Sequence, residues 1–322
     1  MKPIILGIFA AFFFAFTFIL NHVMELSGGS WIWSASLRYF FMVPFLFLIV
    51  VMKGNFRALL KVMKEHPKTW LVWSFIGFGM FYTPLCFAAA YSPGWLIAGT
   101  WQITIISGSL LVPFFSVTIQ TKEGPVKVRE KIPIKGLLMS LMILLGIIFM
   151  QVEHANHLSL RELLLGVLPV IIASFAYPLG NRKMMEVCRG RLDPYQRVLG
   201  MTLASLPFWF VLSLYGLFTG DVPSGEQAFQ SVLVAIFSGV IATVLFFKAT
   251  EMVRGDMQKL AAVEATQSME VLFALLGELL LLSIPIPSIL SWSGMMVLIV
   301  GMILHSYVLH QKDQTHNQAA SV

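Results

Sequence analysis

Two carboxylates, Glu264 and Glu270, lie inside an apolar stretch long enough to cross a bilayer, residues 261–277 (AAVEATQSMEVLFALLG). A carboxylate at membrane depth costs roughly 2.5–3.5 kcal/mol on insertion scales, so a span that keeps one is expected to use it. Glu264, Gln267, Ser268 and Val271 share one helical face by their i, i+3, i+4, i+7 spacing. Gln102, Ile105, Ile106 and Ser109 share the matching face of an earlier apolar segment. A carboxyl on such a face can carry a proton or exchange it for a cation, which makes Glu264 the expected coupling residue. Glu270 is about 240° further round an ideal helix, so the two cannot both face one narrow cavity, and which of them does is left open. Glu278 returns toward the Glu264 face near the end of the span, where a capping or interfacial role is expected.

Arg38 is the one basic residue expected at mid-membrane depth. It could bind an anionic substrate, pair with a carboxylate, or lock its helix to a neighbour. Tyr82, Trp101 and Tyr177 could wall a site for a flat or cationic ligand. Asn21 and Asn181 close two spans in analogous positions and could bond across helices. No catalytic constellation appears: there is no phosphate-binding glycine loop, no HExxH and no GxSxG. Cys86 and Cys188 suggest neither a disulfide framework nor a metal site. The chain is therefore not expected to be an enzyme, and no cofactor or metal is implied.

The elements that must position these residues are transmembrane helices. Of 322 residues, 57% are hydrophobic and only 12% charged, whereas a soluble domain is about one-quarter charged. The apolar residues come in blocks of about 20, and lipid forces such blocks to be helical. The sequence predicts an all-α membrane protein of ten transmembrane helices. They are expected near 3–22, 31–52, 69–90, 95–119, 132–151, 160–181, 194–218, 229–250, 257–282 and 288–310. The first could pass for a signal peptide, but its run is too long and lacks a small-x-small cleavage site.

The net charge of +6 is sorted by loop. Lys53, Arg57, Lys61, Lys64 and Lys68 fall between spans 2 and 3. Lys122, Lys127, Arg129, Lys131 and Lys135 fall between spans 4 and 5. Arg182, Lys183, Arg189, Arg191 and Arg197 surround the joint of spans 6 and 7. This bias predicts an inner-membrane protein with both termini cytoplasmic. Topology and anionic-lipid attraction explain the basic runs better than nucleic acid does.

A weak repeat runs at an offset of about 160 residues. Trp101-Gln102-Ile103-Thr104 parallels Val263-Glu264-Ala265-Thr266, and Pro44-Phe45 parallels Pro207-Phe208. Five spans per half would make the halves, 1–156 and 157–322, two inverted five-helix repeats, an architecture that places sites near the midplane.

On this topology, with Ala88-Ala89-Ala90 before a tight turn and Gly277-Glu278 followed by Gly294 and Gly301, the chain resembles the EamA-like drug/metabolite transporter superfamily. Within it, the chain is similar to the multidrug resistance efflux transporter branch. The resemblance implies a cavity lined by spans 1, 3, 4, 6, 8 and 9, with spans 5 and 10 peripheral and alternating access driven by a proton or by exchange. Four-span relatives carry their essential acid in the first helix; here spans 1 and 6 have none within the bilayer. Family members often have proline where Glu264 stands.

The expected function is secondary active export of small organic molecules, proton-coupled through Glu264 or Glu270. One alternative is a permease importing or exchanging amino acids or nucleoside-like solutes. The other is a non-transporting membrane scaffold. The expected partners are the solute, the proton and membrane lipid. A monomer could suffice, and a dimer stays open.

Overall fold

The computed structural model describes residues 1–92, 94–121, 124–129, 132, 134–155, 159–281 and 288–320. α1 (Lys2–Leu26) and α2 (Trp31–Met52) are joined by a short turn in which Gly28 takes φ +74°, a conformation costly for a residue with a Cβ. α3 (Phe56–Glu65) is short and amphipathic, with Leu59 and Val62 buried and Arg57, Lys61 and Lys64 exposed. α4 (Pro67–Ser74), a π-helical turn (Phe75–Gly79) and α5 (Met80–Ala89) run on as one span. α6 (Gly94–Trp101) and α7 (Thr104–Leu110) are two pieces of the next.

β1 (Ser116–Thr121) and β2 (Gly124–Arg129) follow as an antiparallel hairpin, with Ser116 opposite Arg129. This corrects the expectation of a helix to 119 and then a plain basic loop. The β-branched run Val117-Thr118-Ile119 favours a strand.

The second half holds α8 (Ile134–Ala155), α9 (Leu160–Cys188) and α10 (Pro194–Phe218). α11 (Gly225–Val234), a π-helical turn (Ala235–Ala242) and α12 (Thr243–Glu251) form one span. α13 (Met257–Ala265), a 3₁₀ turn (Thr266–Ser268) and α14 (Met269–Leu281) form the next, and α15 (Ile289–Ala320) is last. The expected Pro285-Ile286-Pro287 break and the side chain of Glu278 lie outside the described residues.

Among the described residues, seven helical stretches are long and apolar enough to cross a membrane. The remaining expected spans fall on three shorter apolar stretches, Leu96–Leu110, Leu137–Met150 and Ile289–Leu304. α8 and α15 pack on each other, their backbones touching at Gly146 and Gly294. Their buried residues, Ile143, Ile147, Leu298 and Met302, form a cluster apart from the main core. That core draws on α1, α2, α5, α9, α10 and α12. Tyr39 stacks on Trp209 at its centre, with centroids 4.3 Å apart and planes 11° from parallel.

Local chemistry fixes the breaks. Asp193 accepts from the Gln196 amide while the Gln196 side chain accepts from the Asp193 amide, a capping box that starts α10. The Gln196 side-chain amide also donates to the Asn55 carbonyl, tying the start of α3 to the same point. A π turn frees a carbonyl from the regular ladder. Thr243 Oγ1 donates to the Ser238 carbonyl at 2.9 Å in the second one. In the first, Gly77 meets Gly180 of α9 so closely that a Cβ on either would run into the other's backbone. This contact seats α9 against the span that carries Phe81 and Tyr82.

Candidate functional site

Rings from five spans meet in the middle of the bundle. Tyr177 of α9 packs against Phe81 of α5 at 4.5 Å, Trp101 of α6 at 5.9 Å, Phe246 of α12 at 5.6 Å and Phe14 of α1 at 6.3 Å. Phe81 also meets Trp101 at 5.1 Å. The cluster is closed in this conformation. Beside it lies a cavity of about 20 Å³, lined by Thr17, Phe18, Asn21, Leu85 and Ile97 among others. That is room for about one water molecule.

A carboxyl and a guanidinium border the rings. The Trp101 indole N–H donates to Glu270 Oε2 at 3.0 Å. Glu270 is only 2% exposed, and among the described residues its Oε1 has no hydrogen-bond partner. On the other flank, the Arg38 guanidinium lies 4.0 Å over the Tyr82 ring and 6.0 Å from the Phe81 centroid. Its Nη2 donates to Ser238 Oγ at 3.0 Å, while Nε and Nη1 have no hydrogen-bond partner among the described residues. The Tyr177 hydroxyl, buried among the rings, is likewise unpartnered. A buried polar group left unmatched costs about 1–3 kcal/mol, and more if charged. Such groups concentrated at one place suit a site that ligand atoms complete.

Both spans that supply acidic or indole groups are interrupted here. The Gln102 and Ile103 amides donate to the Gly99 and Thr100 carbonyls, three residues back, between α6 and α7. Thr266 Oγ1 and Ser268 Oγ donate to the Val263 and Ala265 carbonyls in the 3₁₀ turn before α14. Irregular backbone at membrane depth is tolerated where protein or a cavity satisfies it.

Glu264 is elsewhere. It accepts two bonds from Arg182, Nε to Oε1 at 2.9 Å and Nη2 to Oε2 at 2.6 Å. Both side chains are 1–2% exposed. The pair lies toward the end of the bundle where α9 finishes and α13 begins. Gly108 of α7 makes room for it, since a Cβ there would run into Glu264 Oε2. The Arg182 guanidinium carbon is also 5.6 Å from the Phe115 ring. A carboxylate held bidentately by a buried guanidinium is a structural lock more than a free proton carrier.

Of the residues singled out in the sequence, Glu270, Trp101, Tyr177, Tyr82 and Arg38 come together around the rings. Gln102 donates to the Ala98 carbonyl at 3.2 Å, with its oxygen unpartnered. Gln267 and Ser268 are buried in the break. Asn21 donates to the Tyr82 hydroxyl at 3.2 Å and Asn181 to Thr250 Oγ1 at 3.3 Å, so each bonds across helices but not to the other.

Arg182 corrects the loop reading, while Arg197 lies within the expected span 194–218. Both are buried inside helices, Arg197 pairing with Glu251 at 2.5 Å and donating to the Phe247 carbonyl. Phe81, Ser238 and Phe246 were missed altogether. In sequence they look like ordinary apolar or small residues of a span, and only the packing distinguishes them.

A family model described as "EmrE: Putative multidrug resistance efflux transporter" matches residues 1–311. The chain is 60% identical over 307 residues to "Uncharacterized protein YjlA" of Bacillus subtilis (strain 168), covering 95% of each chain. It is 48% identical over 270 residues to "Uncharacterized 42.1 kDa protein in intracellular alkaline protease 3'region" of Shouchella clausii, covering 84% of this chain and 70% of that one. A solved structure described as "Crystal structure of protein" shares the fold, with a TM-score of 0.70 at 13% identity, covering 96% of this chain and 98% of that one.

Proposed function

The chain belongs to this multidrug resistance efflux transporter family, and from that premise we propose that it is a secondary active exporter of small organic molecules that couples to protons by alternating access. The multi-pass membrane architecture agrees with that role. The observation that carries the reading is Glu270, a buried carboxyl with one free oxygen, set against aromatic rings able to hold a flat or cationic ligand. Glu270 is the coupling residue in this proposal. Glu264 gives up that role because both its oxygens are engaged by Arg182.

Ten spans in two inverted five-helix repeats, 1–156 and 157–322, form the scaffold of the mechanism. Supporting this are the two π turns, which begin at Phe75 and Ala235, and the two interrupted spans, broken after Trp101 and Ala265. These irregularities recur near the offset seen in the sequence. The charge bias supports a topology with both termini in the cytoplasm and location in the inner membrane.

The tight ring packing favours a second reading, a non-transporting scaffold. It leaves the unmatched polar atoms of Arg38, Tyr177 and Glu270 without a purpose.

Purified protein in liposomes, inside acidic, is expected to accumulate ethidium or another aromatic cation in exchange for protons. Neutral aromatic solutes of the same size should be carried less. Equal permeability of protein-containing and empty liposomes to cationic dyes and amino acids, with and without the gradient, would favour the scaffold.

A further inference from the structure

Arg38 is the buried charge that efflux of a simple cation does not use. Three arginines are buried among the described residues within spans. Arg182 and Arg197 each have a carboxylate, Glu264 and Glu251. Arg38 has the ring and hydroxyl of Tyr82 beside it, one serine hydroxyl and, among the described residues, two nitrogens without a geometric hydrogen bond. Ser238 Oγ, which also accepts from Thr17 Oγ1 at 2.5 Å, is a neutral hydroxyl and supplies no counter-charge. The nearest acid of the cluster, Glu270, is held off by intervening rings: Arg38 abuts Phe81, Phe81 abuts Trp101, and Trp101 holds Glu270. The small cavity is lined by Thr17, the same residue that bonds Ser238, so the void adjoins the arginine's hydrogen-bond chain.

From this arrangement we propose that Arg38 is an anion subsite, and that the transported solute carries a carboxylate for Arg38 as well as a cationic group for Glu270. The planar fork of an arginine suits two parallel bonds to a carboxylate, and Nε with Nη1 presents one such edge. The rings between the two charges fit a flat body joining the solute's two ends. Solutes of this kind are amphoteric, with opposite charges at the two ends of a flat body. The inference rests on the ring cluster being the transport site.

The test compares three probes of one size: para-(aminomethyl)benzoate, para-methylbenzylamine and para-methylbenzoate. Binding to the detergent-purified parent protein is measured by calorimetry and exchange by liposome counterflow. The zwitterion is expected to bind about tenfold or more tighter than the amine, since a charged hydrogen-bonded contact is worth about 1.5–3 kcal/mol. Arg38→Gln should erase that advantage, so that the zwitterion binds no tighter than the amine. Arg38→Lys should restore part of it. The comparison within the parent protein stands even if Arg38→Gln fails to fold. An amine that binds as well as the zwitterion overturns the anion subsite and leaves cation efflux intact. The subsite is overturned in the same way if none of the three binds while ethidium is exchanged. If neither these probes nor ethidium is bound or exchanged, the efflux reading falls and takes the subsite with it.

Discussion

Replacing Glu264 with glutamine lowers the unfolding free energy by about 3–5 kcal/mol, because it leaves the Arg182 guanidinium buried without its counter-charge. Arg182 is 2% exposed and its remaining nitrogen, Nη1, has no protein partner, so no second acceptor is in place to take over. The double variant Arg182→Met with Glu264→Leu should recover most of the loss, since an apolar pair of similar volume needs no desolvation of charge. Gly108→Ala should act in the same direction as the single variant by pushing on Glu264 Oε2. Denaturant or thermal unfolding in detergent reads all three. A single variant as stable as the parent, with the double variant worse, would mean that the pair is not the lock described here.

Glu270→Gln is expected to abolish proton-driven exchange, with at least a tenfold fall in rate, about 1.4 kcal/mol or more in barrier, while the protein stays folded. The amide oxygen can still accept the Trp101 N–H, so the local packing is kept. What is lost is the exchangeable proton and the negative charge. The contrast with Glu264→Gln is the informative part. One substitution removes stability and the other removes transport. Counterflow that persists in Glu270→Gln at the parental rate, with the same dependence on the gradient, would remove Glu270 from the mechanism.

The helical membrane character was legible because lipid leaves the backbone no other option, and each span announces itself by length and apolarity. The site residues were legible because polar groups are conspicuous in such spans. Their pairing was not. Arg182 follows Asn181 at an expected span edge and so read as a loop cation, yet α9 continues to Cys188 and carries it inward. Its partner is 82 residues away in sequence, and only packing brings the two together. The helical-face argument for Glu264, Gln267 and Ser268 assumed an unbroken helix, and the 3₁₀ turn at Thr266–Ser268 changes that phase. In the mechanism proposed above, the role it gave Glu264 passes to Glu270. The hairpin after α7 was masked by the basic residues of the same stretch, which drew the reading toward charge.

The most direct test is a structure of the protein with para-methylbenzylamine bound at saturating concentration. The account predicts ligand density among Phe81, Trp101 and Tyr177, its ammonium beside Glu270 Oε1, with the Arg182–Glu264 pair outside the contact. Density beside Glu264, or on the lipid-facing surface with the ring cluster still closed, would contradict it.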